Sequence, residues 1–213
     1  MICRNSNAFA VMYLIWLAGA LTAGTAAEIP LANQSTPELK IRVYGFPGLS
    51  VGMLPEAYSE AERLLRPVSI RLKWVDCTSP VLSIECTSPQ LPTDLTVRVV
   101  ATALPPATPW ALGLAAWSGD QAAAFIFYDR VAALRSYTRF VPSILGRVMA
   151  HEITHLLLGS RSHSEIGLMK GQWTANDLRT VNSAWLGLPT RLVQFMQKEA
   201  LRRVLIARNL TVN

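Results

Sequence analysis

Charge and histidine are what this 213-residue chain has least of: 16% of its residues are charged and only three are histidine, against 51% hydrophobic. So little charge beside so much apolar side chain excludes an intrinsically disordered protein. Nor is there an apolar run of the roughly 20 residues a spanning helix needs, which excludes a polytopic membrane protein. Lys and Arg together number 20 against 14 Asp and Glu. These charges are scattered and never mass into the basic stripe of a nucleic-acid-binding surface, so no nucleic-acid partner is expected. Internal repeats and low-complexity tracts are missing too. The length suits a single domain accompanied by targeting residues.

The longest apolar run, Ala8–Leu21, follows Arg4 and precedes the small residues Thr22–Ala27. That order matches the n-region, h-region and cleavage site of a secretory signal peptide. Cleavage is expected after Ala27, with Thr25 at −3, or after Ala26; an uncleaved anchor is the alternative. Residues 1–27 are therefore read as signal peptide and 28–37 (EIPLANQSTP) as a linker. The expected location is secreted or periplasmic in a bacterium, with no stable membrane insertion once the signal is cut. Cysteine is scarce as well, at three, and Cys3 would leave with the signal. Cys77 and Cys86 remain as an even pair bracketing TSPVLSIE. In an oxidising compartment such a pair is read as a disulfide stapling a loop, worth about 2–3 kcal/mol in the loop-entropy picture. Their spacing fits no usual zinc knuckle.

Alternation of apolar residues predicts strands over Lys40–Tyr44, Val68–Val75 and Leu95–Val100, and the short apolar run Ala122–Tyr128 reads as another. Helices are predicted over Pro55–Arg66, with proline first, acids early and arginines late, and over Pro142–Leu158, Thr174–Trp185 and Thr190–Arg208. The class is α+β, that is, mixed α/β. The last helix is basic and amphipathic, which suits either a membrane surface or, as read here, a docked terminal helix with a solvated outer face.

All three histidines fall in thirteen residues: His151-Glu152-Ile-Thr-His155-Leu-Leu-Leu-Gly159-Ser-Arg-Ser-His163. On a helix, residues four apart are offset by about 40° and rise about 6 Å, so His151 and His155 lean towards one point. HExxH is for that reason a zinc motif, and Glu152 stands where it can accept a proton from attacking water without ligating the metal. The flanking sequence is so apolar that two imidazoles buried there without metal or hydrogen bonds would be costly. If the helix ran on, His163 would lie about 18 Å along the axis from His151. Gly159 offers a helix stop, because glycine accepts a left-handed conformation cheaply, and the chain can then fold back. His163 is the favoured third ligand; Glu165 and Asp177 are the alternatives.

The segment HEITHLLLGSRSHSEIGLM resembles the metzincin zinc-peptidase signature, HExxHxxGxxH followed by a methionine-bearing turn. His151, His155 and His163 match its three metal ligands, Glu152 its general base, Gly159 its glycine and Met169 its Met-turn residue. The spacing departs from the signature, with three residues rather than two on each side of Gly159. Most of residues 40–180 also resembles a group of secreted bacterial proteins, through Trp74, Asp76, Cys77, Cys86, Thr93–Leu95, the MAHExxHLLLG helix and the SHSxxGLM tail.

The resemblance implies a metzincin-like twisted, mostly parallel sheet over an active-site helix, with a helical C-terminal part. Residues 38–189 would form the zinc-peptidase-like domain and 190–213 the C-terminal helix. It further implies a Zn2+ cofactor and a peptide or protein substrate lying extended along an edge strand. By order in the chain Ala124–Tyr128 is expected at that edge, with Phe127 and Tyr128 near the cleft. Tyr128 and Tyr137 are the candidates for a second oxyanion donor. The expected activity is that of a secreted zinc metalloendopeptidase. A non-catalytic module with a structural metal is the alternative, and a fourth protein ligand would favour it.

Overall fold

Apolar alternation in the first strand sets the layering of the molecule. In β1 (Glu38–Tyr44), Leu39, Ile41 and Val43 are fully buried on one face. The computed structural model describes residues 36–79, 81, 83–118, 121–136, 141–179 and 186–211. The expected signal peptide, nearly all of the linker, Tyr137 and residues 180–185 of the expected Thr174–Trp185 helix lie outside them. After β1 come α1 (Leu54–Leu65), β2 (Arg71–Asp76), the short α2 (Ile84–Thr87), β3 (Asp94–Val100), β4 (Gly113–Ser118) and β5 (Gln121–Phe127). Then follow α3 (Tyr128–Ala133), α4 (Val141–Leu158), α5 (Ala175–Arg179) and α6 (Thr190–Thr211).

The five strands form one sheet in the order β2-β1-β3-β5-β4. All pairings are parallel except β4 with β5, which is antiparallel with Gly113 opposite Ile126 and Ala115 opposite Ala124. The fold is therefore mixed α/β with a mostly parallel sheet. The edge strand corrects the sequence reading. β5 lies between β3 and β4, Phe127 is fully buried, and Tyr128 opens α3 with its ring 5.5 Å from Phe46. The true edge is β4, whose GLAAWS carries small residues of low strand propensity and no alternation.

One face of the sheet, through Ile41, Leu95, Val97, Ala124 and Ile126, shares a single core with α1, α4 and, from α6, Met196 and Ala200. On the opposite face, Val75 and Tyr44 pack against Cys77 and Cys86, whose disulfide closes a loop. Tyr44 donates its hydroxyl to the Cys86 carbonyl at 2.9 Å. Arg42, fully buried, pairs with Asp94 and donates to the Ser88 carbonyl at 2.6 Å and the Pro89 carbonyl at 3.1 Å. The Ser88 and Pro89 carbonyls, just past the stapled loop, and Asp94 thus serve the Nη groups of this buried guanidinium, while its Nε has no partner. Among the described residues no helix is long and apolar enough to cross a membrane.

Helices α1 and α4 pack closest at Gly146, where an added Cβ would stand 2.3 Å from the Ala57 carbonyl oxygen. Nearby, Arg147 of α4 meets Glu60 of α1 at 3.1 Å. In a free helix Gly→Ala gains about 1 kcal/mol. Here the obstacle is backbone, which cannot rotate away, and overpacking costs about 1–3 kcal/mol. Gly146→Ala is therefore expected to lower the melting temperature by several degrees, at about 2–4 °C per kcal/mol for a domain of this size. A higher melting temperature in calorimetry would mean the helices separate freely.

Candidate metal centre

Helix α4 is buried along nearly its whole length, so its polar side chains are enclosed from the start. His151, Glu152 and His155 are all buried, the two histidines one turn apart, and all three line the cavity that β4 also lines. The helix ends at Leu158, and Gly159 turns the chain with φ +61°. That left-handed step is cheap only for glycine and sends Ser160–Ser162 back along the helix. His163 arrives beside the other two histidines. Its Nε2 lies 3.3 Å from His155 Nε2, which lies 3.0 Å from His151 Nε2. One ligand atom from each imidazole falls within 4.8 Å of the others.

Two carbonyls decide the protonation of these rings. His151 Nδ1 is 2.7 Å from the Leu168 oxygen and His155 Nδ1 is 2.7 Å from the Ser160 oxygen. A carbonyl only accepts, so each Nδ1 carries the proton and each neutral ring turns a bare Nε2 lone pair inward. Two such lone pairs 3.0 Å apart repel unless a cation stands between them. Zinc at about 2.0–2.1 Å from each nitrogen in tetrahedral array calls for nitrogen separations of about 3.3 Å, so the donor set fits. Burial, then the neighbouring imidazoles, pushes the His151 pKa down to about 3 against the pull of the Leu168 carbonyl. Burial lowers His155 to about 4, and it also lowers His163. Neutral, ligand-ready imidazoles result.

Glu152 faces the same space. Burial raises its carboxyl pKa to about 8, while the Ala115 main-chain N–H directed at it works in the opposite sense. Its Oε2 is buried with no partner. Gly113 of the edge strand passes directly overhead; a Cβ there would stand 2.6 Å from Glu152 Oε1. Met169 is buried and follows Leu168, whose carbonyl holds His151, and its own carbonyl accepts from Ser164 N at 2.8 Å. The alternative ligands are elsewhere. Asp177 is engaged by Lys170 Nζ and by Thr174 N, each at 2.6 Å, and Glu165 is exposed. Among the described residues no fourth donor joins the three imidazoles.

A cavity of about 410 Å³ opens over the centre, lined by Pro106–Thr108 and Trp110–Ala115 and by Arg161, Lys170 and Trp173. Tyr128 is not among its lining residues. Sequence reasoning did not find Gly113, Ala115, Arg161 or Trp173. The one available signal was the break of regularity at ALPPATPW, which marks a loop but not a wall. Trp173 sets its ring at 89° to His151, 5.7 Å between centroids, and its Nε1 is buried without a partner.

No protein-family model matches the sequence, and neither does any curated protein. Among solved structures, the chain is similar to an archaemetzincin from Methanopyrus kandleri, with a TM-score of 0.51 at 13% identity over 80% of this chain and 99% of that one. It is also similar to a zinc-dependent peptidase from Methanocorpusculum labreanum, with a TM-score of 0.52 at 14% identity over 73% of this chain and 99% of that one. At such identities the likeness is one of fold. The chain has the fold of these zinc peptidases and, within it, a group of three imidazoles able to bind a zinc ion.

Proposed function

We propose that this chain is a secreted zinc-dependent endopeptidase, with His151, His155 and His163 as metal ligands and Glu152 as general base. The observation that carries the reading is the convergence of imidazole lone pairs beside an unpartnered buried carboxylate oxygen, both at the floor of an open cavity. A structural zinc clip has no use for a fourth position left open to solvent. When bound, zinc supplies Lewis acidity, polarising a scissile carbonyl and acidifying water.

The remaining work falls to the chain. Glu152 accepts the proton of the attacking water as its oxygen bonds to the carbonyl carbon, then gives that proton to the amine as the C–N bond breaks. An extended peptide lies beside the β4 edge, where Glu152 and Arg161 already engage the main-chain groups of Ala115. The Leu168 and Ser160 carbonyls hold the ligand rings in one tautomer and orientation.

Metal analysis and proteolysis test this together. The purified protein is expected to carry one zinc and to cleave an unfolded protein such as casein; chelation abolishes cleavage and added zinc restores it. A zinc-loaded protein that cleaves nothing across a broad peptide library would move the structural-metal reading ahead. Gly113→Ala separates metal from geometry, because the new methyl occupies the place of the Glu152 carboxyl. Zinc content should stay at one while kcat drops by roughly 100-fold, the scale of a 1 Å misplacement.

A further inference from the structure

Glu152 and Arg161 meet the same residue of the edge strand. The Ala115 N–H is directed at the Glu152 carboxyl, and the Ala115 carbonyl accepts from Arg161 Nε at 3.2 Å. The guanidinium carbon sits 5.6 Å from the centroid of the Trp117 ring, over its face. An exposed arginine is thereby held at two points, with its guanidinium over an indole and its Nε consumed by a carbonyl. What stays available is the end-on fork of the two Nη groups, the geometry that takes a carboxylate with both oxygens.

The neighbourhood gives that fork no internal partner. Among the described residues no carboxylate lies within ion-pair distance of Arg161. Of the other charged residues lining the cavity, Lys170 has the same sign and is already held by Asp177, and Glu152 is buried beneath the edge strand. A guanidinium held rigid has its ordering entropy already met before any ligand arrives.

We infer that Arg161 is a specificity-determining residue that selects peptides carrying a carboxylate within one or two residues of the scissile bond. The inference rests on the peptidase reading above. Its position follows from Ala115, which places the guanidinium one peptide unit from the side where Glu152 acts. The carboxylate comes from an Asp or Glu side chain or from the end of the peptide itself, and the fork recognises either.

Three matched peptide series distinguish these sources: a capped peptide with one internal Glu, the same peptide with Gln, and the Gln peptide with a free C-terminal carboxylate. The zinc-loaded enzyme should show a kcat/KM about 10–100-fold higher for a carboxylate peptide than for the capped Gln peptide, as a charged bidentate hydrogen bond provides. Preference for the first series assigns the side chain, and preference for the third assigns the chain end. Arg161→Gln should bring that ratio close to one, and Arg161→Lys should recover part of it, with zinc content equal in all three proteins. Equal cleavage of all series by the wild type, or a ratio unmoved by Arg161→Gln, overturns the inference while leaving the peptidase in place. No cleavage of any series by zinc-loaded wild type overturns both.

Discussion

Glu152→Ala is expected to yield a protein that binds one zinc and has lost cleavage of casein, with kcat lower by on the order of 10²–10⁴-fold, the range a positioned general base supplies. The metal should stay because none of its fixing contacts involves Glu152. The ligand rings are oriented by the Leu168 and Ser160 carbonyls, and His163 is delivered by the turn at Gly159. The fold should stay because the carboxyl contributes little to it. Oε2 is buried without a partner, and an unsatisfied buried acceptor costs about 1–3 kcal/mol. The variant should therefore melt no lower than the wild type. Zinc analysis, calorimetry and a casein assay on one preparation read all three outcomes. Cleavage retained by the variant would remove Glu152 from the chemistry.

His163→Ala has the largest expected effect on the metal. Losing a partner outside the ligand set already costs 10–100-fold in affinity, so losing one of three ligands should lower zinc affinity by more than roughly 100-fold. His163 is exposed and sits on a returning loop rather than inside α4, so the metal-free protein should keep its melting temperature. Asp177→Ala supplies the contrast. Its carboxylate holds Lys170 and the Thr174 amide, and Lys170 together with Thr174 keeps its pKa low despite burial. Zinc content there should not change, while stability falls as those donors lose their acceptor. Should His163→Ala keep its zinc, the third position passes to Asp177 or Glu165.

The cluster of three imidazoles was legible because it is local: two histidines one helical turn apart, a glycine that ends the helix, and a third histidine within reach. The parallel strands were legible because β1, β2 and β3 alternate and β5 is a short apolar run. β4 was not, for a reason tied to its place. Only a residue without a side chain fits over Glu152 at position 113, and Ala115 next along the same face is nearly as small. The demand for space above the carboxylate erases the alternation by which a strand is recognised. Arg42 failed differently. Alternation puts it on the outer face of β1, and Ser88 and Pro89, far off in the chain and just past the Cys77–Cys86 loop, then come to lie against it. Arg161 and Trp173 belong to no periodic segment, and their relation to the cavity exists only after the chain has turned at Gly159.

The outermost strand bears on how copies of this protein behave towards one another. An uncovered strand edge with free amides and carbonyls is a template for pairing with the edge of a second molecule, the ordinary start of aggregation. At the middle of β4 the chain meets that hazard with its own side chains: the Ala115 amide faces Glu152 and the Ala115 carbonyl is taken by Arg161. A long, charged arginine laid against the strand is also an obstacle that another sheet cannot pass without displacing it. The groups that would receive a peptide therefore also keep two molecules from zipping together while none is present.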